Sequence, residues 1–235
     1  MQQRTAVITT AIIAGVVLLG GAAAIAGPMV YRDLIVGEAE AVPTVTADPG
    51  ATNEAAVAID PSELSGEWAA TDGSFAGYRV DEVLNGTDVT VVGRTEDVTG
   101  SFTVEGLTLT AAEITDDVAS IETDSSSRDA YFRDSALRTS EHPTATFTLT
   151  GPVAAPSTPA VGEVQSLTAT GDLTIAGVTR PVTVELEAVL GDGSGQVAGS
   201  IPITFADFGV EAPNLGFVSV EPDGFVEFSL VIAPA

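Results

Sequence analysis

Apolar and polar residues alternate with a period of two through most of the chain after Trp68. In VTVELEAVL, residues 182–190, Thr183, Glu185 and Glu187 fall on one face, and the other face carries Val182, Val184, Leu186, Ala188 and Leu190. Successive side chains of a strand point to opposite faces, so this pattern predicts a strand with one buried and one wet face. The same pattern predicts strands in other segments: 66–71, 74–80, 98–104, 107–114, 118–123, 144–150, 167–175 and 225–232.

Turn sequences such as EG, NG and GDGSG separate these segments. About eight short strands fit between Trp68 and Ile232, which predicts an all-β antiparallel sandwich or barrel. A closed sheet of that size has an interior just wide enough for side chains or one small ligand. The Pro- and Ala-rich residues 151–164 are predicted to form a surface loop.

One stretch, SRDAYFRDSALRTSEHPTATF at residues 127–147, does not alternate. Its apolar spacing predicts a helix of two or three turns, capped by a serine or by Asp124 and stopped by Pro143. A strand is predicted to follow directly. We expect this one short helix to cover or plug one end of the barrel.

The N-terminal region contains no charged side chain in residues 5–31. That apolar run exceeds the roughly 20 residues that a membrane-spanning helix needs, so it predicts an N-terminal transmembrane helix or a signal sequence. The anchor reading gives a cytoplasmic stretch 1–4, an anchor 5–31, a flexible linker 32–57 and a β-barrel domain 58–233 on the extracytoplasmic side of a single-pass membrane protein. The alternative is a secreted protein cleaved near the AIA of residues 24–26.

Charge and residue types exclude several classes of function. The net charge of -25, from 33 acids against 8 bases, argues against nucleic acid as a partner. The chain has no cysteine and a single histidine, His142, so no metal cluster and no catalytic residue is predicted, and the protein is expected not to be an enzyme. The acids Asp116 and Asp117 are interpreted as solvated turn residues.

Arginines remain as the candidates for polar recognition. An arginine at the mouth of a barrel can hold a phosphate or diphosphate in a forked geometry, and Arg128 and Arg180 are the two we select. The alternative is that each arginine pairs with one of the many acids.

Three stretches together resemble the YceI-like family of polyisoprenoid- or lipid-binding proteins: residues 127–147, residues 171–186, and more loosely ITFADFGV at residues 203–210. The run from Leu173 to Val182 is the most specific. Within the other two stretches the matching residues are Arg128, Asp129, Pro143, Thr146, Phe147 and the late strand residues Asp207, Phe208 and Gly209. Tyr131 and Phe132 replace a histidine and a leucine common in the family. The resemblance implies a lipocalin-like, extended antiparallel eight-stranded barrel whose apolar tunnel holds a long isoprenoid or acyl chain, with no reaction required.

The predicted ligand is therefore a polyprenyl lipid, a quinone or a similar hydrophobic molecule, with no other cofactor; the membrane is a partner through the N-terminal helix, and a homodimer is left open. The candidate ligand-binding residues are Phe75, Tyr78, Phe102, Arg128, Phe147, Leu173, Arg180, Val184, Leu186, Phe217 and Phe228. The alternative is a non-enzymatic structural or stress-response surface module with a packed barrel. An empty apolar tunnel of several hundred Å³ would favour binding.

Overall fold

The computed structural model describes residues 39–46, 58–191 and 193–235. Ten strands make up the sheet: β1 (Gly66–Leu84), β2 (Thr87–Thr95), β3 (Val98–Glu105), β4 (Thr108–Asp117), β5 (Thr144–Leu149), β6 (Val153–Ala154), β7 (Val164–Ile175), β8 (Val178–Leu190), β9 (Gly195–Thr204) and β10 (Val218–Pro234). Two short α-helices accompany them, α1 (Pro61–Leu64) and α2 (Ser126–Tyr131).

All strand pairs are antiparallel, and the sheet closes because the first strand, β1, pairs with the last, β10. The strands β2 and β3 follow each other along the same edge of β1 and act as one bent strand. In the same way β5 and β6 follow each other along β4. When β2 with β3 and β5 with β6 are each counted as one strand, the ten strands form a ring of eight. This confirms the predicted eight-stranded antiparallel barrel.

The alternating sequence explains which side chains face the interior. Val184, Leu186, Ala188 and Leu190 face the interior, and Val184 is almost fully buried. On the outer face, Thr168 donates a hydrogen bond to Glu185 on the neighbouring strand. The turn between β1 and β2 is formed by Asn85 and Gly86, which both have positive φ, as a tight hairpin requires.

The predicted helix lies at one end of the barrel. After α2 the chain continues in a wider π-type turn, Phe132–Ala136, and Arg138 then adopts a left-handed conformation. The helix therefore ends before Pro143, contrary to prediction, because the chain reverses at Arg138. Its N-cap residue is Ser125, which makes no side-chain capping bond.

Two predicted strands are instead short turns. The 3-10 turn Val118–Ser120 replaces the start of the strand predicted at residues 118–123, because the Asp117 side chain accepts a hydrogen bond from the Ala119 amide and caps it. The expected late strand at the DFG residues is the 3-10 turn Phe205–Phe208, which Gly209 terminates with a φ of 71°.

Part of the predicted linker contacts the barrel. Residues 39–46 lie on the outer face of β1 and β2, where Arg79 donates a hydrogen bond to the Glu40 carbonyl and Arg94 donates one to the Ala41 carbonyl. Val45 is buried. These residues are therefore part of the folded domain rather than of a flexible linker. The predicted anchor, residues 5–31, lies outside the described residues, and in the part of the chain that is described no helix has the length and apolar character to cross a membrane.

Candidate ligand-binding cavity

A continuous apolar cavity of about 690 Å³ occupies the axis of the barrel. Its wall extends from Leu64 and Trp68 at one end to Val218 at the other, where α2 and the residues before β10 both contribute to it. Inward positions of the strands supply most of this wall. The cavity lies within the range of about 300–1,000 Å³ that is typical of ligand pockets. The barrel interior is therefore not filled by its own side chains.

Most of the sequence-predicted residues lie in the cavity wall. These are Tyr78, Phe102, Arg128, Phe147, Leu173, Val184, Leu186, Phe217 and Phe228. They come from the strands, from α2 and from the segment before β10, so that residues far apart in the chain share one apolar surface. The helix also contributes, since Ser127, Arg128 and Tyr131 line the cavity, and α2 covers this end of the barrel as expected.

Phe75 does not line the cavity. It lies three residues from the inward Tyr78, and such positions of a strand face opposite sides of the sheet. A register shift in the β1–β10 pairing between Thr71 and Phe75 also interrupts the inward–outward alternation that begins at Trp68. Its ring lies on the outer face, 4.4 Å from the Arg94 guanidinium carbon. The interpretation of Phe75 as a tunnel residue is therefore wrong.

Arg180 also lies outside the cavity wall. It is exposed near the β7–β8 hairpin, and its guanidinium donates only to the carbonyl of the adjacent Thr179 among the described residues. The hairpin places its Gly177 against the ring of His142, so that an added Cβ would come within 2.6 Å of that ring. His142 itself is not part of the cavity wall. The expected headgroup position of Arg180 is not supported by this placement.

Four polar residues form a cluster where α2 covers the cavity, and we call Tyr78, Glu82, Asp124 and Arg128 the mouth cluster. Arg128 donates a hydrogen bond to the Glu82 carboxylate over 3.0 Å and also pairs with Asp124 one helical turn away. The Glu82 side chain is only 6% exposed. The Tyr78 ring stacks on Phe132, with 4.9 Å between the ring centroids. The mouth cluster thus neutralises a buried acid and carries one cation into the cavity wall.

Burial and charge shift the pKa values in this cluster. Burial raises the pKa of Tyr78 above its usual range, so its hydroxyl stays protonated. Burial works to lower the pKa of Arg128, but the Glu82 hydrogen bond and the charges of Glu82 and Asp124 outweigh it and raise that pKa. Arg128 therefore remains a cation and Tyr78 a neutral hydrogen-bonding group.

Replacing Arg128 with alanine is expected to lower the free energy of unfolding by about 2 kcal/mol, because Glu82 would keep its burial and lose its cation. Denaturant unfolding measures the change. Arg138→Ala is the control, since Arg138 is exposed and 3.9 Å from Glu141, and it should change stability by less than about 0.5 kcal/mol. Unchanged stability with weaker binding of a prenyl diphosphate would instead identify Arg128 as a headgroup contact.

Asp129, next to Arg128, is buried beneath the start of α2. Its carboxylate accepts hydrogen bonds from the Thr123 amide over 3.0 Å and from the Thr123 hydroxyl over 2.6 Å. Asp129 thus satisfies a backbone donor that precedes the helix. Asp129 thereby fixes the chain just before the helix that carries Arg128.

Asp116 is a wall residue that sequence reasoning missed. It is the penultimate residue of β4, not a turn residue, and it lines the cavity together with Ile114. Burial raises the pKa of Asp116 to about 7, its own backbone amide opposes the shift, and the charge of Asp117 adds to it. Because the folded-state pKa lies above the ordinary 3.8, the contribution of this group to stability falls as the pH rises from about 4 to about 7.

The rim of the cavity near the mouth cluster carries large exposed apolar side chains. Leu215 and Phe217 are each 58% exposed, and Tyr131 on α2 is 37% exposed. All three also line the cavity. The segment with Leu215 and Phe217 is fixed by backbone hydrogen bonds from the Asn85 amide to the Phe217 carbonyl and from the Leu215 amide to the Val218 carbonyl. The apolar surface of the interior thus continues to the solvent at this end.

Solved structures share this architecture. The domain is similar to a polyisoprenoid binding domain from Saccharophagus degradans, with a TM-score of 0.59 and 20% identity over 72% of this chain and 98% of that one. It is also similar to BcnA of Burkholderia cenocepacia, with a TM-score of 0.51 and 21% identity over 66% of this chain and 95% of that one. At these identities the likeness shows the shared fold.

Sequence comparison covers much of the barrel as well. The chain is 33% identical over 141 residues to the protein YceI of Escherichia coli O157:H7. This match covers 56% of this chain and 69% of that protein. It is 32% identical over 139 residues to a UPF0312 protein of Pseudomonas aeruginosa, and this match covers 55% of this chain and 68% of that protein. A sequence model of the YceI-like domain matches residues 46–232, nearly the whole of the described barrel. The chain therefore belongs to the YceI-like domain family.

Proposed function

We propose that this domain binds a long apolar ligand, such as an isoprenoid, a quinone or a similar lipid, in the barrel and catalyses no reaction on it. The observation that carries the proposal is the continuous apolar cavity of about 690 Å³ along the barrel axis. Burial of each ligand methylene contributes about 0.8 kcal/mol, so a chain that fills the cavity gains affinity with its length. The similarity to a polyisoprenoid binding domain of Saccharophagus degradans supports the same ligand class.

The cavity wall also explains how such a ligand would be oriented. The mouth cluster offers the Arg128 cation and the Tyr78 hydroxyl at one end of the cavity, whereas the rest of the wall is mostly aliphatic and aromatic, with Asp116 among its polar exceptions. A polar end placed at the mouth cluster would keep its hydrogen bonds while the tail is buried. The exposed rim of Leu215 and Phe217 gives the tail an apolar path into the barrel.

A bulky side chain inside the barrel tests the proposal. Ala112 is buried in the cavity wall on β4, and its neighbour Ala111 is exposed on the outer face. We expect Ala112→Trp to lower affinity for a prenyl lipid at least about tenfold, roughly 1.4 kcal/mol, by occupying the space of the tail. Ala111→Trp, the matched control, should bind as the parent domain does. Ligand titration and native mass spectrometry of the purified domain measure both variants.

The outcome separates the two functional hypotheses. Lipid that copurifies with the domain, and is lost in Ala112→Trp, would support binding. Repeated recovery of empty protein together with no prenyl-lipid binding in titration would instead favour a ligand-free structural or stress-response module. Unfolding of each variant is followed in parallel, so that a loss of binding in a folded variant is distinguished from a loss of fold.

We also propose that residues 5–31 anchor the protein in a membrane, with the barrel on the extracytoplasmic side. The support is the apolar run without charged side chains and the short distance along the chain to the attached residues 39–46. The seven residues 32–38 can span at most about 25 Å when extended, so an anchored barrel would stay close to the bilayer. Membrane fractionation and mass spectrometry of the mature N-terminus test the anchor, and an N-terminus just after residue 26 would establish the secreted alternative.

A further inference from the structure

Asp116 is a carboxyl group set into an apolar part of the cavity wall. Residues two apart on a strand share a face, so Asp116 shares its face of β4 with Ile114 and Ala112. Across the ladders it lies opposite Val98 on β3 and Ala145 on β5. Directly opposed residues of antiparallel strands also share a face, so the immediate surroundings of the carboxyl group are apolar on both sides.

Among the described residues, no cation is paired with this carboxyl group. In the part of the chain that the structure describes, no other side chain donates a hydrogen bond to Asp116, and the group that supports its charged form is its own backbone amide. The Arg128 cation of the cavity wall is paired with Glu82 and Asp124. Polar groups in protein interiors are normally hydrogen-bonded, so a carboxyl group placed in this way has an unused hydrogen-bonding capacity that faces the cavity.

The charged form is therefore disfavoured. Burial raises the pKa of Asp116 to about 7, and Asp117, the adjacent acid, adds to the shift. The neighbouring elements contribute these titratable groups. Asp97, which precedes β3, lies beside Asp117, and β5 carries no titratable side chain. Glu82 on β1 is paired with Arg128. At and below neutral pH a protonated carboxyl group is a hydrogen-bond donor.

We propose that Asp116 is a ligand-binding residue that donates a hydrogen bond to an uncharged oxygen of the bound amphiphile, such as a quinone carbonyl. This inference rests on the proposed binding function and adds a preference to it. A carbonyl oxygen accepts a hydrogen bond from the protonated carboxyl group, so no charge enters the apolar wall. A diphosphate group at the same position would bring an anion against an acid, with no free cation on β4 or β5 to compensate it.

Two probes and two variants test the inference. The probes are a quinone with a prenyl tail and a prenyl hydrocarbon of the same chain length that has no oxygen. Asp116→Leu removes the donor and keeps the branched shape of the side chain, and Asp116→Asn keeps an uncharged donor. We expect Asp116→Leu to weaken binding of the quinone about fivefold to tenfold, the value of one hydrogen bond, while hydrocarbon binding is unchanged or tighter. Asp116→Asn should bind the quinone within about twofold of the parent domain.

The pH provides a readout that a purely structural role would not change. Quinone affinity of the parent domain should fall as the pH rises through about 7, because the carboxyl group loses its proton, whereas Asp116→Asn should show a flat profile. Equal quinone affinity in Asp116→Leu and the parent domain, with the hydrocarbon still bound, would overturn the inference alone. Failure of the parent domain to bind either probe would overturn the proposed function and this inference together.

Discussion

Replacing Arg79 with alanine is expected to lower the free energy of unfolding by about 3–5 kcal/mol, because the substitution leaves a buried carboxylate without its cation. Glu227 on β10 is only 2% exposed, and the Arg79 guanidinium holds it in a two-pronged pair with nitrogen–oxygen distances of 2.6 and 3.2 Å. The same guanidinium donates to the Glu40 carbonyl, so residues 39–46 should detach as well. Denaturant unfolding measures the first effect, and limited proteolysis within residues 39–46 measures the second.

Two controls show whether the buried charge is the cause. Arg180→Ala removes an exposed arginine whose only described contact is the Thr179 carbonyl, and it should change stability by less than about 0.5 kcal/mol. The double replacement Arg79→Met with Glu227→Leu removes both charges and should recover at least half of the lost stability. If the double variant were as unstable as Arg79→Ala, the loss would come from packing rather than from the unpaired carboxylate.

The second large effect is expected at Gly77, where β1 leaves no room for a side chain beside β2. A Cβ atom added to Gly77 would lie 1.9 Å from the Gly93 carbonyl oxygen, and both atoms belong to the backbone of paired strands. Neither strand can move alone, because β1 is also paired with β10. We expect Gly77→Ala to lower the free energy of unfolding by about 3 kcal/mol, at the upper end of the cost of overpacking.

Gly151 supplies the matched comparison for this substitution. It also lacks a left-handed backbone, and its added Cβ would meet the Thr170 hydroxyl at an ordinary 3.4 Å. Gly151→Ala should therefore change stability by no more than about 0.5 kcal/mol. Thermal unfolding of the two variants side by side would reveal equal losses if glycine flexibility, rather than the close strand approach, were responsible.

The barrel was predictable because the alternation of apolar and polar residues recurs in most of its strands. The alternation in residues 182–190 reports one buried and one wet face without reference to any other segment, and the inward residues of β8 follow from it. The helix start near Ser125 was predictable from local spacing too, whereas its end was not. The reversal at Arg138 depends on how the chain turns back toward β5, and no glycine or asparagine at that position indicates a left-handed conformation.

The candidate site was predictable in its apolar part and less so in its polar part. Ala112, Ile114 and Asp116 have the same parity in β4, so the period-two rule already placed the acid on the inner face, although a pair of adjacent acids suggested a turn. Phe75 could have been set aside by the same parity rule, since it lies three residues from Tyr78. The contacts of residues 39–46 with Arg79 and Arg94 join distant parts of the chain, and composition carries no signal for them.

The pairing of β1 with β10 also has a consequence for how the chain folds. It joins Trp68 to Pro234 and Leu84 to Val218, so the seam of the barrel forms between its first and last strands. Contacts so distant in sequence require a large loop to close before they contribute stability, and proteins dominated by them fold slowly. During synthesis, β1 emerges long before its partner. The exposed edge of β1 must therefore wait for the final segment of the chain, and this is the interval in which a partly made barrel is most open to aggregation.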